Sequence, residues 1–162
     1  EDGGWSRADW LDKKFTMGLE FPNLPYYIDG DVRLTQSNAI VRYIGRKAGL
    51  LGTTDEQRGD VDVLLEQAMD FRNTITRTAY TKKPEFDAKL AEWREGSAKT
   101  LDVLEKRITG RDWMTGTLTV VDFVLYELTD QAKLMLEEGA FAAKYPQLTA
   151  WQARFEALEA IA

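Results

Sequence analysis

A chain of 162 residues is the size of one domain, or of one domain with part of a second, against a usual ~150 residues per domain. Its 44% hydrophobic and 30% charged residues are ordinary for a globular protein, and the complete absence of cysteine and histidine excludes disulfides, thiolate chemistry, nucleophiles activated by a histidine base and nearly all zinc sites. With 21 basic against 27 acidic residues, the net charge of −6 argues against nucleic acid as a partner, no apolar run approaches the ~18 residues that span a bilayer, and no signal-peptide pattern is present.

Ser6-Arg7-Ala8-Asp9 reads as a capping box opening a short helix, which carries Trp10, Leu11, Lys14 and Phe15 and stops at Gly18. Phe21-Pro22-Asn23-Leu24-Pro25 is an extended loop, because a residue before proline avoids the helical conformation. Tyr26-Tyr27-Ile28 and Val32-Arg33-Leu34-Thr35 are the strands of a hairpin turned by Asp29-Gly30-Asp31. A helix follows from near Gln36-Ser37-Asn38 through Ile40, Val41 and Ile44 to Lys47, closed by Ala48-Gly49. After a linker over 49–56, with Thr54 and Gln57 as a second capping box, Val61, Leu64, Ala68, Phe71, Ile75 and Ala79 recur at three- and four-residue spacing along one long helix. Pro84 opens the next helix, striped by Phe86, Leu90, Trp93, Leu101, Leu104 and Ile108 and ended by Gly110. Thr119 to Asp122 forms a third capping box ahead of Phe123, Val124, Leu125 and Leu128. Tyr145-Pro146 breaks the chain, and Leu148, Trp151, Phe155, Leu158 and Ile161 stripe a last helix. The change of period predicts a mostly α chain, with a small α/β piece over 1–48 before an all-helical piece over 57–162. Glu1 in place of Met, and a helical pattern over 155–162 without a Gly or Pro terminator, read as a processed chain or a fragment.

Three places carry chemistry. Gln36-Ser37 stands where a strand runs into a helix, whose first N–H groups lack internal partners and whose dipole favours an anion; Ser37 is either an N-cap or, with its hydroxyl, part of a carboxylate or phosphate site. Leu24-Pro25 reads as a trans strand start, since about 5% of such bonds are cis; the alternative cis bond turns the Leu24 N–H and C=O toward a ligand. Trp10 and Lys14, four apart and preceded by Arg7, make either a basic, aromatic-lined edge suited to an anionic small molecule or a solvated amphipathic helix. Asp70 is an exposed charge or is placed for a partner, and Tyr80 offers a phenol at the end of its helix. Thr119 and Asp122 are structural capping residues. No loop has calcium-ligand spacing and no Gly-rich phosphate loop is present.

The ordered string Trp10-Leu11 … Phe15 … Gly18-Leu19-Glu20-Phe21-Pro22-Asn23-Leu24-Pro25-Tyr26, Leu34-Thr35-Gln36-Ser37-Asn38-Ala39-Ile40 … Arg42-Tyr43-Ile44, Gln67-Ala68-Met69-Asp70, Thr119-Val120-Val121-Asp122-Phe123, Tyr145-Pro146-Gln147-Leu148 and Arg154-Phe155-Glu156 resembles the mu class of cytosolic glutathione transferases over essentially the whole chain. The resemblance implies a partial thioredoxin-like N-terminal domain, a hairpin plus helices, followed by an all-α bundle. It implies a cytoplasmic homodimer that conjugates the thiolate of glutathione to hydrophobic electrophiles, with glutathione as co-substrate and no cofactor or metal. Carried over by motif, Arg7, Trp10 and Lys14 hold the glycine carboxylate of glutathione, Asn23 and Leu24 pair with its backbone beside a cis Pro25, and Gln36 and Ser37 take its γ-glutamyl end. Asp70 reaches the partner's glutathione amine, Phe21 inserts into the partner's helical domain, Arg42 lies near the two-fold axis, and Tyr80 lines the electrophile site. The family's catalytic tyrosine, which donates to the glutathione sulfur, corresponds to a position upstream of Glu1, as do its first strand, first helix and second strand; a C-terminal tail also falls outside the 162 residues. The resemblance therefore implies a transferase whose 162 residues are inactive by themselves, with a non-catalytic, dimerising or hydrophobic-ligand-binding homologue as the alternative.

Overall fold

The computed structural model describes residues 6–161; Glu1 and Ala162, on which the reading of the chain's ends rests, lie outside them. In chain order the elements are α1 (Ala8–Leu11), β1 (Tyr26–Asp29), β2 (Val32–Thr35), α2 (Ser37–Ala48), α3 (Asp55–Ala79), α4 (Phe86–Ile108), α5 (Val120–Leu136), α6 (Glu138–Lys144) and α7 (Pro146–Glu156). They gather into two compact units, Glu1–Ala48 and Gly49–Ala162. The architecture is the mostly helical one expected, a hairpin with helices followed by an all-helical unit.

In the first unit the hairpin is antiparallel, with Tyr26 opposite Thr35 and Asp29 opposite Val32. Gly30, at φ +60°, supplies the left-handed residue that a tight turn between twisted strands requires. Strand α-carbons alternate faces, so Tyr26 and Ile28 point one way and Tyr27 and Asp29 the other. The turn end of the hairpin is tied to the C-terminal half of α2 by Asp29, whose Oδ2 accepts from the Tyr43 hydroxyl at 3.0 Å and from the Lys47 ammonium. The Lys47 ammonium, followed by the Tyr43 hydroxyl, holds the Asp29 carboxyl below its ordinary range. The first helix is shorter than the sequence suggests. Ser6 Oγ accepts the Ala8 N–H at 3.1 Å, but the N-cap position is Arg7, Asp9 closes no box, and the helix lasts one turn before relaxing into turns through Thr16.

The second unit is built on α3, which packs against α4 and α5. Its start follows the sequence: Thr54 Oγ1 accepts the Gln57 N–H at 3.2 Å, and Gln57 Oε1 reaches back to the N–H groups of Thr53 and Thr54 at 2.8 and 3.4 Å. Asp55 and Glu56, read as linker, belong to its first turn. Its buried stripe differs from the pattern at three residues: Ala79 is exposed, while Leu65 and Thr78 are buried, because two helices, α4 and α5, pack on α3 and together cover a wider arc than one helical stripe. The helix read from Pro84 begins two residues later at Phe86, with Pro84 in the preceding turn after a cis Lys83–Pro84 bond. An additional helix, α6, lies between α5 and α7. The last helix ends at Glu156, not at the terminus; Leu158 and Ile161 lie in turns, with Ile161 exposed. The core is made by side chains such as Leu65, Leu101, Leu125, Leu148 and Trp151, none more than 2% accessible.

Candidate functional site

The hairpin register assembles most of the candidate site within the first unit. Because Tyr26 lies opposite Thr35, the loop that enters β1 and the segment that leaves β2 come out at the same end of the ribbon. Leu24–Pro25, which precedes Tyr26, and Gln36–Ser37, which follow Thr35, are thus neighbours. The Leu24–Pro25 bond is cis, the conformation implied by the resemblance and disfavoured by base rates. Trp10 joins the same end by stacking on Tyr26, with ring centroids 5.8 Å apart and planes 10° from parallel. Arg7 and Lys14 flank it one turn away on either side, through the backbone bonds Leu11 N to Arg7 O at 3.0 Å and Lys14 N to Trp10 O at 2.9 Å. The Trp10 ring thus lies at a ribbon end beside a helix N-terminus, with Arg7 and Lys14 one turn away along the chain and the Lys14 ammonium over the Phe15 ring at 4.6 Å from its centroid.

Two features of this end have no signature in the residue string. Gln36 has φ +73°, a left-handed conformation that a non-glycine residue adopts at roughly 1–3 kcal/mol. It turns the chain from strand into helix in a single residue, and its carbonyl takes the first helical bond, from Ile40 N at 3.0 Å. Ser37 consequently falls at the very start of α2, where unpaired donors and the dipole are concentrated. Asn23 Oδ1 accepts the Leu24 N–H at 2.9 Å, so the donor assigned to a ligand backbone is engaged inside the loop. Gly18 is favoured by its φ of +67°, a left-handed conformation, while an added Cβ would lie 3.3 Å from the exposed Arg33 side chain, which has room to give.

The remaining candidates lie apart from this cluster. Phe21 is 70% exposed on the loop, and Arg42 is half-buried on α2. In the helical unit, Asp70 is exposed on α3 and Tyr80, its C-cap residue, presents a phenol that is 85% accessible. Thr119 and Asp122 make a reciprocal box: Asp122 Oδ2 accepts the Thr119 N–H at 3.0 Å. The other Asp122 oxygen accepts from Met114 N at 2.9 Å and Trp151 Nε1 at 3.1 Å, so this acid binds three parts of the helical unit together. Among the described residues no cluster of three or more Asp and Glu could hold a metal ion, and no helix is long and apolar enough to cross a membrane.

Family models agree with both units: the glutathione S-transferase N-terminal domain matches residues 2–46 and the C-terminal domain matches residues 69–162. Glutathione S-transferase Mu 2 of Rattus norvegicus is 42% identical over 158 residues, covering 97% of this chain and 71% of that protein. Glutathione S-transferase B of Cavia porcellus is 43% identical with the same coverage. The crystal structure of the glutathione S-transferase Blo t 8 superposes with a TM-score of 0.86 at 36% identity, over 94% of this chain and 72% of that one. The chain belongs to the glutathione S-transferase family, and within it to the mu class.

Proposed function

We propose that the chain binds glutathione at the end of its hairpin and serves its transfer to hydrophobic electrophiles, working as a cytoplasmic homodimer. The observation that carries this reading is the register that sets the cis Leu24–Pro25 loop beside the strained Gln36–Ser37 helix start. Arg7, Lys14 and the Trp10 indole grip the glycine carboxylate. Asn23 and Leu24 exchange their internal bond for bonds to the peptide backbone of glutathione. Gln36, Ser37 and the N-terminus of α2 take the γ-glutamyl end, whose ammonium is met by Asp70 of a partner subunit. Phe21 and Arg42 serve the dimer. In the reaction the glutathione thiol loses its proton to solvent, the thiolate sulfur bonds to the electrophilic carbon, Tyr80 donates to the negative charge that develops on the acceptor, and the leaving group departs with its bonding electrons, as chloride does from chloro-dinitrobenzene when the C–Cl bond breaks.

The test is retention on immobilised glutathione together with a thioether-forming assay on chloro-dinitrobenzene. Ser37→Ala removes one charge-assisted hydrogen bond, worth about 1.5–3 kcal/mol, so glutathione affinity should fall at least about tenfold. Unchanged affinity removes Ser37 from the site. The tyrosine that activates sulfur in the family has no counterpart in the motifs of these 162 residues, so a polypeptide of these residues alone is expected to show little turnover; normal turnover would overturn that assignment.

A further inference from the structure

A groove of about 460 Å³ runs between α3 and α4, wholly within the helical unit, and neither Asp70 nor Tyr80 lines it. Its floor is Phe71 and Trp93, nearly fully buried, with ring centroids 6.2 Å apart. Its walls carry the hydroxyls of Thr74, Thr78 and Ser97. Each of these hydroxyls already donates to its own helix: Thr74 to Phe71 O at 2.7 Å, Thr78 to Thr74 O at 3.0 Å, Ser97 to Arg94 O at 3.2 Å. Thr74 Oγ1 in addition accepts the Trp93 indole N–H at 3.0 Å, so what Thr78 and Ser97, and in part Thr74, offer an occupant is oxygen lone pairs.

The rim has the opposite character. Arg77 Nε donates to the Asn73 carbonyl at 3.0 Å, and among the described residues no carboxylate pairs with its guanidinium. The other cation of the groove, Lys89, is neutralised by Glu92 at 2.6 Å. One uncompensated cation thus stands over an acceptor-lined trough. Gly96 keeps the middle open: it lines the groove, and a Cβ added there would meet no atom within 4 Å.

We propose that this groove is a second small-molecule site, for a compact monoanion whose carboxylate pairs with Arg77 and whose body carries amide or hydroxyl donors. The carboxylate takes the paired N–H groups of the guanidinium, the donors satisfy the Thr and Ser oxygens, and the apolar part of the body covers Phe71 and Trp93. An apolar ligand without donors leaves the hydroxyl oxygens dry, which disfavours it. The volume falls in the roughly 300–1,000 Å³ range of small-molecule pockets.

N-acetyl-L-tyrosine supplies the carboxylate, an amide N–H and a phenol on a body of suitable size. Titrated into the 162-residue chain and followed by the amide resonances of Gly96 and Ser97 and the indole resonance of Trp93, it should bind saturably. N-acetyl-L-tyrosinamide, which lacks only the charge, should bind at least about tenfold more weakly, and N-acetyl-L-phenylalanine, which lacks the phenol donor, should also bind more weakly. Arg77→Leu should abolish the difference between acid and amide. Gly96→Leu should block both, by filling the groove from a helix position that gains propensity from the change. Retention on immobilised glutathione should be unaffected in both variants, which separates this site from the first. No saturation at millimolar concentration, equal binding of acid and amide, or full binding by Gly96→Leu would each overturn the proposal.

Discussion

Asp122 is held where its charge is both required and opposed. Burial pushes its carboxyl above the ordinary carboxylate range, while the Met114 and Thr119 N–H groups and the Trp151 indole pull it back down. Removing it leaves three buried donors without partners, each worth about 1–3 kcal/mol, so Asp122→Ala should cost at least about 3 kcal/mol in chemical denaturation; a loss under about 1 kcal/mol would mean that water replaces the carboxylate. Tyr126 shows the opposite balance on a half-exposed surface. Its hydroxyl donates to Glu156 at 2.8 Å, and the neighbouring carboxylate pushes the phenol up to about 12. Because the folded value lies above the unfolded one, the stabilisation is fully present below the ordinary tyrosine value of 10.0 and is lost as pH rises toward about 12. A site-resolved NMR titration of the Tyr126 ring should therefore show a late phenol, and Glu156→Gln should return it toward 10.0; a Tyr126 phenol that stays late in Glu156→Gln would assign the shift to burial instead. At Asp29 the sign reverses: the Lys47 and Tyr43 contacts stabilise the hairpin at neutral pH and are released only as pH falls through a folded value below the ordinary 3.8. A carbon NMR titration of Asp29 with a midpoint at or above 3.8 would contradict that latch.

At the scale of elements, α4 acts as a clamp on its neighbours' ends. Glu105 accepts from the N–H groups of Gln147 and Leu148 at 2.9 and 2.8 Å, capping the N-terminus of α7 from another helix. Arg94 donates to the Met135 carbonyl at 2.7 Å at the C-terminus of α5 and reaches Glu137 at 3.4 Å. Each charge has the sign that the helix end favours. Glu105→Ala should cost about 2 kcal/mol, between the value of a helix cap and that of two charge-assisted bonds, and should raise hydrogen exchange in the first turn of α7 before any other. The same clamp explains what the sequence hid. Glu137, at φ +70°, breaks the chain between α5 and α6 without a proline or glycine at the break, and the contact that meets its side chain there comes from Arg94, 43 residues earlier, which no local pattern shows. The three breaks that local chemistry does cause, at Thr54, Thr119 and Pro146, were all legible. So was the helix start at Ser37, from a strand running directly into a helix. The left-handed turn at Gln36 and the stacking of Tyr26 on Trp10 were not, because a dihedral and a ring pair across 16 positions leave no periodic trace.

The two units differ most in how much apolar surface each removes from water. In the helical unit the core runs through every helix, with Trp151, Tyr145 and Phe141 fully buried. In the first unit only Ile40 and Gly45 are buried among the described residues, while Phe15 and Phe21 are each at least 70% exposed. A hairpin of two strands is marginal by itself, and one helix against it adds little burial. Opening free energies should therefore be graded along the chain: amides of β1, β2 and α2 should exchange through local opening at low cost, and those of α3 and α5 only through global unfolding. This gradient also gives the glutathione assignment a test that does not depend on turnover. A ligand that binds only the closed first unit stabilises it by RT ln(1 + [L]/Kd), about 2.7 kcal/mol at one hundred times Kd. Glutathione at that excess should slow exchange about a hundredfold at the hairpin and in the first turn of α2, and leave the slowest amides of α3 and α5 unchanged. Uniform slowing would indicate that both units unfold as one, and slowing confined to α3 and α4 would place the tripeptide in the groove between those helices instead of at Ser37.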